Sequence, residues 1–172
     1  MGGLVDLSQV VVESQASVEA LEVIYRERFH QFVRVAQAIT RSRESAVDAV
    51  QEAFASALRH RFGYTGAGSL EAWVWRTVVN SAQRTLRQRV HASLDGLDVE
   101  HATDPVSVVD ERVRLVVAGL PERQRLVLFL RYYADLDYRA IADALEIEVA
   151  TVGSTLNQAQ RALKRELSEG QS

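Results

Sequence analysis

The chain lacks the residues on which several kinds of protein chemistry depend. None of its 172 residues is a cysteine, which excludes disulfides, a thiolate zinc site and a cysteine nucleophile and fits a reducing cytoplasm. The four histidines, His30, His60, His91 and His101, do not have the spacing of a metal site or a catalytic triad. The sequence also has no phosphate loop and no dinucleotide fingerprint. We therefore expect no enzyme activity, metal, cofactor or small-molecule substrate.

Turn-forming residues and long apolar runs are also scarce. Two prolines and nine glycines provide little material for the turns of a β-sheet. No apolar run approaches the roughly 20 residues of a membrane span, and no basic segment precedes the first apolar residues as in a signal peptide. With 47% apolar and 25% charged residues, the composition is typical of a globular protein without a membrane partner. The dominant Ala, Leu, Val, Arg, Glu and Gln favour an all-α fold.

The apolar residues recur at helical spacing along most of the chain. Ser42, Ser69 and Asp137 each precede such a segment and are suited to cap a helix. Residues 92–104 hold four acids and no Lys or Arg, which is typical of a linker. The sequence thus predicts two small helical domains joined by an acidic linker, organised as a tail (1–18), a first domain (19–91), the linker (92–104) and a second domain (105–172).

A polar face is predicted on the second helix, residues 43–60. Asp48, Gln51 and Glu52 lie on one side of it, opposite the apolar stripe. Acidic and amide groups on a rigid helix suit docking to a basic partner. A solvated helix face explains the same pattern.

A basic stripe is predicted on the helix that follows Ser69. Arg76, Asn80, Arg84 and Arg87 recur at intervals of four, four and three residues, with Gln83 beside them. They therefore share a face, and such a stripe suits phosphates and base edges. Solvation of that face alone remains the alternative.

Aromatic residues accompany the basic stripe. Phe62 and Tyr64 lie in the Gly-containing loop before the helix, and Trp75 lies in its first turns. Because every base has a π-face, aromatics beside a basic groove suit unstacked bases. We expect Trp73 to be a core residue and Trp75 to face DNA.

Residues 137–165 have the spacing of a helix-turn-helix, whose second helix normally enters the major groove. Asp143, Glu146 and Glu148 are acidic, and no Lys or Arg occurs from Ala140 to Gln160. Because phosphate neutralisation dominates DNA affinity, we expect weak DNA binding here. The candidate contacts are the polar residues of the second helix and the bases at its edges: Arg139, Thr151, Ser154, Thr155, Gln158, Arg161 and Arg165.

Taken in order, these segments resemble the extracytoplasmic-function sigma factors of bacterial RNA polymerase. AVDAVQEAFASAL, followed after a loop by SLEAWVWRTVVNSAQRTLRQR, is similar to sigma domain two. LPERQRLVLFLRYYADLDYRAIADAL and TVGSTLNQAQRALKREL are similar to sigma domain four. The family usually has glycine in the turn of the helix-turn-helix and basic residues along its second helix. This chain differs from the family in both features.

The resemblance implies roles for the candidate residues. Asp48, Gln51 and Glu52 would dock on the clamp coiled coil of the largest polymerase subunit. The aromatic loop and the basic stripe would melt and read the minus-ten element, and the second domain would read the minus-thirty-five element of promoter DNA. An anti-sigma factor is a possible further partner. The linker acids, which would mimic RNA in the polymerase channels, are Asp95, Asp98, Glu100 and Asp104.

Two functions are compatible with these features. The first is a sigma factor that directs core polymerase in transcription initiation, which the basic stripe favours. The second is a sigma-like interaction protein that binds polymerase or an anti-sigma factor without initiating transcription, which the acidic helix-turn-helix favours.

Overall fold

The computed structural model describes residues 16–94 and 111–169, and every regular element in these two ranges is helical. The N-terminal unit contains three α-helices and a 3₁₀ turn at Arg61–Gly63, and the C-terminal unit contains four α-helices. The α-helices are α1 (Val18–Thr40), α2 (Arg43–Arg59), α3 (Leu70–Leu94), α4 (Glu111–Gly119), α5 (Glu122–Tyr132), α6 (Tyr138–Leu145) and α7 (Val149–Glu169).

Short polar side chains start four of these helices. Ser17, Ser42, Ser69 and Asp137 each accept a hydrogen bond from the backbone N–H three residues later, at 2.8 to 3.3 Å. Each cap satisfies one of the donors that a helix N-terminus leaves unpaired. The predicted caps at Ser42, Ser69 and Asp137 are confirmed.

The N-terminal unit is built around an aromatic core. Phe32 of α1 and Trp75 of α3 are fully buried, with ring centroids 4.3 Å apart, and Phe54 of α2 packs edge-on against Phe32 at 5.3 Å. At the far end, Arg89 Nη1 donates to the carbonyl of Thr40 at 3.0 Å. These contacts fix the orientation of α3 and therefore of its basic stripe.

The C-terminal unit places a short and a long helix around a tight turn. Leu130 of α5, Ile141 of α6 and Val152 of α7 are buried together. Glu146 ends α6 in the left-handed region, at φ 55° and ψ 45°, and its N–H bonds the carbonyl of Ala142. This is the helix-turn-helix that the sequence predicts, with glutamate at a position whose backbone favours glycine.

The two units are in contact with each other. α3 packs against α6, and α1 packs against α5. The buried residues of both units form one continuous hydrophobic cluster. The helix-turn-helix is therefore held against the side of the N-terminal unit.

The second helix ends one residue before its predicted end, and the third extends into the predicted linker. α3 continues to Leu94, so the first three residues of the predicted linker, 92–94, are helical. Residues 95–104, with the four linker acids, lie outside the described residues. The same holds for residues 1–15 and for the first residues of the predicted second domain, 105–110.

Candidate nucleic-acid interface

The polar face of α2 is exposed as predicted. Asp48, Gln51 and Glu52 all face solvent, on the side of the helix opposite its buried alanines and valine. Glu52 Oε1 accepts from Arg59 Nη2 at 2.9 Å and lies 3.7 Å from Arg84 Nη2. Within residues 16–94 and 111–169, Asp48 makes no such ion pair. Its carboxylate is therefore the one more available to a basic partner.

The basic stripe lies along the outward face of α3. Arg76, Asn80, Arg84 and Arg87 are exposed, and Gln83 is half-buried beside them. The opposite face of the helix packs into the aromatic core, so the stripe cannot rotate inward. Four arginines and one glutamate make α3 strongly basic overall. Such a face can neutralise phosphates while its amides reach base edges.

The two loop aromatics differ in their exposure to solvent. Phe62 is 62% exposed, with the Arg61 guanidinium 4.3 Å from its ring centroid. Tyr64 is half-buried: its hydroxyl donates to the carbonyl of Gly68 at 2.9 Å, and its ring centroid lies 5.8 Å from that of Trp73. Phe62 is therefore the more exposed of the two rings, with one guanidinium over it, whereas Tyr64 supports the loop.

Trp75 is not a surface residue, so its predicted contact with DNA is wrong. Its side chain is fully buried against Phe32. Trp73, which the sequence placed in the core, is instead half-buried and lines a cleft beside α6. The two residues are two positions apart on a helix, which turns them to different sides.

The helix-turn-helix presents most of its predicted contacts to solvent. Its exposed members are Arg139, Ser154, Gln158, Arg161 and Arg165. Thr151 is half-buried and lines the same cleft as Trp73. Thr155 is only 6% exposed, so its prediction as a base-contacting residue is wrong. It follows Ser154 by one position and therefore points toward the packed side of α7.

The sequence did not indicate the contacts between the two units. Arg76 Nη2 donates to Glu146 Oε1 in a charge-assisted hydrogen bond. Gln83 Nε2 donates to Glu122 Oε1 at 3.3 Å. Two residues predicted to read the minus-ten element are thus engaged by the C-terminal unit. The signal in the sequence was the acid at the turn, Glu146, for which no partner could be assigned.

A cleft of about 1120 Å³ opens where α3 meets α6. It is lined by three arginines, Arg76, Arg123 and Arg139, and by the acids of the helix-turn-helix. Arg123, in the first turn of α5, was not among the predicted site residues. In the described parts of the chain, no cluster of three or more His, Cys, Asp or Glu side chains could hold a metal ion.

One arginine of the C-terminal unit has a structural role. Arg125 is 8% exposed, and its Nη1 donates to the carbonyls of Ala118 and Leu120 at 3.2 Å. Burial lowers the pKa of its guanidinium, and the nearby positive charge of Arg41 lowers it further, while Glu122 raises it. Arg125 thereby joins α4 to α5.

No helix in the described ranges is long and apolar enough to cross a membrane.

Comparison with protein families finds two matches. Residues 24–91 match the family described as Sigma-70 region 2, and residues 110–164 match Sigma-70, region 4. The first match contains the polar face of α2 and the basic stripe, and the second contains the helix-turn-helix.

Three named sigma factors are similar to this chain over most of their length. RNA polymerase sigma factor YlaC of Bacillus subtilis is 24% identical over 162 residues, covering 88% of this chain and 94% of that protein. RNA polymerase sigma-H factor of Pseudomonas aeruginosa is 24% identical over 166 residues, 86% of each chain. The ECF RNA polymerase sigma-E factor of Escherichia coli is 29% identical over 134 residues, covering 67% of this chain and 70% of that protein.

Two solved structures share the fold. The sigma factor RpoE of Bartonella quintana, in complex with the anti-sigma factor NepR, superposes with a TM-score of 0.67 at 18% identity, covering 86% of this chain and 98% of that one. CnrH, in complex with the cytosolic domain of CnrY, superposes with a TM-score of 0.68 at 18% identity over 94% of each chain.

Proposed function

The chain belongs to the extracytoplasmic-function sigma factors, which bind core RNA polymerase and direct it to promoters, and we propose that its N-terminal unit supplies most of the promoter affinity. The difference in net charge between the two units supports this proposal. Residues 16–94 hold eleven arginines and seven acids, a net charge of +4, whereas residues 111–169 hold nine bases and nine acids, a net charge of zero. Because phosphate contacts dominate affinity for DNA, the unit with the excess of arginine binds it more strongly.

Within the N-terminal unit, different groups serve different steps. Arg76, Arg84 and Arg87 contact the phosphate backbone, and Asn80 and Gln83 contact base edges of the minus-ten element. Phe62, which is 62% exposed, receives a base that leaves the stack as the duplex opens. The exposure of Arg76, Asn80, Arg84 and Arg87 along the outward side of α3, and of Phe62 in the preceding loop, supports this assignment.

The C-terminal unit contributes upstream contacts at lower affinity. Arg139 is the single base from Tyr138 to Gln160, against three acids. The exposed polar side chains of α7, Ser154 and Gln158, can reach base edges in the major groove. Arg161 and Arg165 of the same helix can reach flanking phosphates. A weak site that is tethered to a stronger one still gains from the high effective concentration.

The polar face of α2 is the docking surface for core polymerase. Asp48 is its best probe, because Glu52 is already paired with Arg59 and Arg84. Acids presented on a rigid helix attract and orient a basic partner. Since its partner is the polymerase, we expect the chain to act in the cytoplasm.

The test combines core binding with run-off transcription. Asp48→Lys should weaken binding of the full chain to core polymerase by at least tenfold, because it places a like charge against a basic partner, a change worth about 1.4 kcal/mol or more. Binding is measured by titrating fluorescently labelled chain with bacterial core polymerase. Run-off transcription from a promoter library should fall in parallel.

Glu27→Lys is the matched control for this experiment. Glu27 is an exposed acid of α1, and its replacement makes the same change in net charge away from the proposed surface. Equal affinities of the two variants for core would contradict the docking assignment. Tight core binding by the wild type with no transcript from any promoter in the library would instead favour the sigma-like interaction protein.

A further inference from the structure

The outer face of α7 is apolar at its N-terminal end, the end with which a recognition helix contacts bases. Val149 is 47% exposed in the first turn, and Ala150 beside it is exposed as well. Gly153 follows one turn later on the same side of the helix. Val152 and Leu156 are buried on the opposite side. The first turns of α7 therefore turn small and apolar groups outward.

Tyr138 enlarges this surface from the neighbouring helix α6. Its side chain is 41% exposed, and a Cβ atom at Gly153 would lie 3.6 Å from its Cε2 atom. Because Gly153 has no side chain, the Tyr138 ring lies against the α7 backbone and is not covered from that position. Val149, Ala150, Gly153 and Tyr138 thus form one surface across both helices of the helix-turn-helix, the apolar reading face.

The polar groups of α7 near this face do not suit guanine. Guanine is most often read by two hydrogen bonds from an arginine or lysine to its O6 and N7 atoms, and no Lys or Arg occurs from Ala140 to Gln160. Glu148, just before the face, has only acceptors when it is ionised, so it suits the amino groups of adenine or cytosine. Gln158, further along α7, suits adenine N6 and N7. Neither residue favours guanine.

The charges at the edges of the apolar reading face favour DNA over an apolar protein as its partner. Arg139 lies beside Tyr138 on α6, and Arg161 lies further along α7. Both are exposed, and neither forms an ion pair within residues 16–94 and 111–169. Two unpaired arginines that flank an apolar surface suit the phosphates on either side of a groove. In the major groove, the apolar group that distinguishes one base from the others is the C5-methyl group of thymine.

We propose that the helix-turn-helix reads its upstream element through thymine methyl groups. The element is then a run of A·T pairs, with thymine methyls packed against Val149, Ala150 and the Tyr138 ring, and Gly153 lets the base edges come close to the α7 backbone. This inference rests on the proposed upstream role of the C-terminal unit and names the class of sequence which that unit selects. Because a single methyl contact contributes little, the reading also agrees with the low upstream affinity proposed above.

The class of sequence is tested by selection with the holoenzyme. Core RNA polymerase loaded with the full chain is incubated with a library of random DNA duplexes, and the bound duplexes are sequenced. The motif enriched upstream of the minus-ten element should consist mainly of A·T pairs. A motif dominated by G·C pairs would overturn the proposal and leave the upstream role of the C-terminal unit intact. No enrichment upstream would overturn both, and the apolar reading face would then be a surface for a protein partner.

The methyl groups are tested by replacing thymine with uracil, which lacks only the C5-methyl group. In the most enriched duplex, uracil at the thymines of the upstream element should weaken holoenzyme binding by about threefold for each contacted methyl. The same number of replacements between the two promoter elements is the control and should leave binding unchanged. Equal binding of the thymine and uracil duplexes would overturn the proposal, whereas the enriched motif would still establish that the upstream element is read.

Val149→Ala connects the methyl effect to the protein. The variant shortens an exposed side chain at a position where alanine favours the helix, so the fold should be retained. The ratio of the thymine to the uracil affinity should fall clearly below its wild-type value. Val23→Ala is the matched control, because it makes the same change at a 52% exposed valine of α1 and should keep the wild-type ratio. The same ratio in wild type and Val149→Ala would overturn the proposal.

Discussion

Two tryptophans of α3, two positions apart, lie in different environments. Trp75 is fully buried against Phe32, whereas Trp73 is half-buried beside Tyr64 and the cleft. Apolar spacing alone does not decide between them, because both neighbour the core stripe of the helix. The α1 aromatic that faces α3 decides which of them is enclosed.

Replacing the two tryptophans should therefore have unequal effects on stability. Trp75→Ala should lower the free energy of unfolding by about 3 to 5 kcal/mol, because it removes a fully enclosed side chain and leaves a cavity. Trp73→Ala should cost clearly less, since part of its surface already faces water. Urea unfolding followed by circular dichroism measures both values. Equal losses would show that Trp73 is as enclosed as Trp75.

At the scale of the helix, the sequence predicts starts better than it predicts orientation. Ser42, Ser69 and Asp137 were recognisable as caps because their hydrogen bonds are local, to the N–H three residues on. The burial of Thr155 and Trp75 was not recognisable, since it depends on which neighbouring helix packs against α7 or α3. The outward residues Asp48, Arg76 and Arg84 were placed correctly because charged side chains are rarely buried without a hydrogen-bond partner.

Gly153 lowers the stability of α7, and its replacement should raise it. A Cβ atom there would meet Tyr138 Cε2 at 3.6 Å, an ordinary van der Waals distance. Gly153→Ala should therefore stabilise the chain by about 0.5 to 1 kcal/mol, because alanine loses less backbone entropy in a helix. Gly68→Ala is the contrasting control and should destabilise it, given the φ of +80° and the contact with Asp143. Thermal unfolding of both variants measures the difference, and a lower melting temperature for Gly153→Ala would contradict the argument.

At the scale of the whole molecule, the compact arrangement and the promoter impose different geometries. The minus-ten and minus-thirty-five elements are about 25 base pairs apart, which is about 85 Å at about 3.4 Å per pair. In the free chain, by contrast, Arg76 of α3 touches Glu146 of the helix-turn-helix. If α3 and α7 read the two elements as proposed, the compact chain cannot contact both of them together.

The connecting segment is long enough for the units to separate. The 16 residues from 95 to 110 span at most about 55 Å when fully extended. From Arg76 onward, α3 adds about 27 Å, at about 1.5 Å per residue. The two lengths together come close to the separation of the two promoter elements. The domain arrangement could not be predicted from the sequence, because it depends on weak contacts between distant residues such as Arg34 and Tyr133.

Promoter engagement should therefore separate the two units by tens of ångströms. With spin labels at Val23→Cys and Asn157→Cys, the wild-type background should give short distances in the free chain and long ones after addition of core polymerase and promoter DNA. The reason is geometric: the α3–α6 contact and simultaneous occupancy of both elements exclude each other. The same labels combined with Asp48→Lys should keep the short distances, since that variant binds core weakly. Short distances that persist in complexes from which transcripts are made would show that the helix-turn-helix stays on α3 during initiation and that the upstream element is not read.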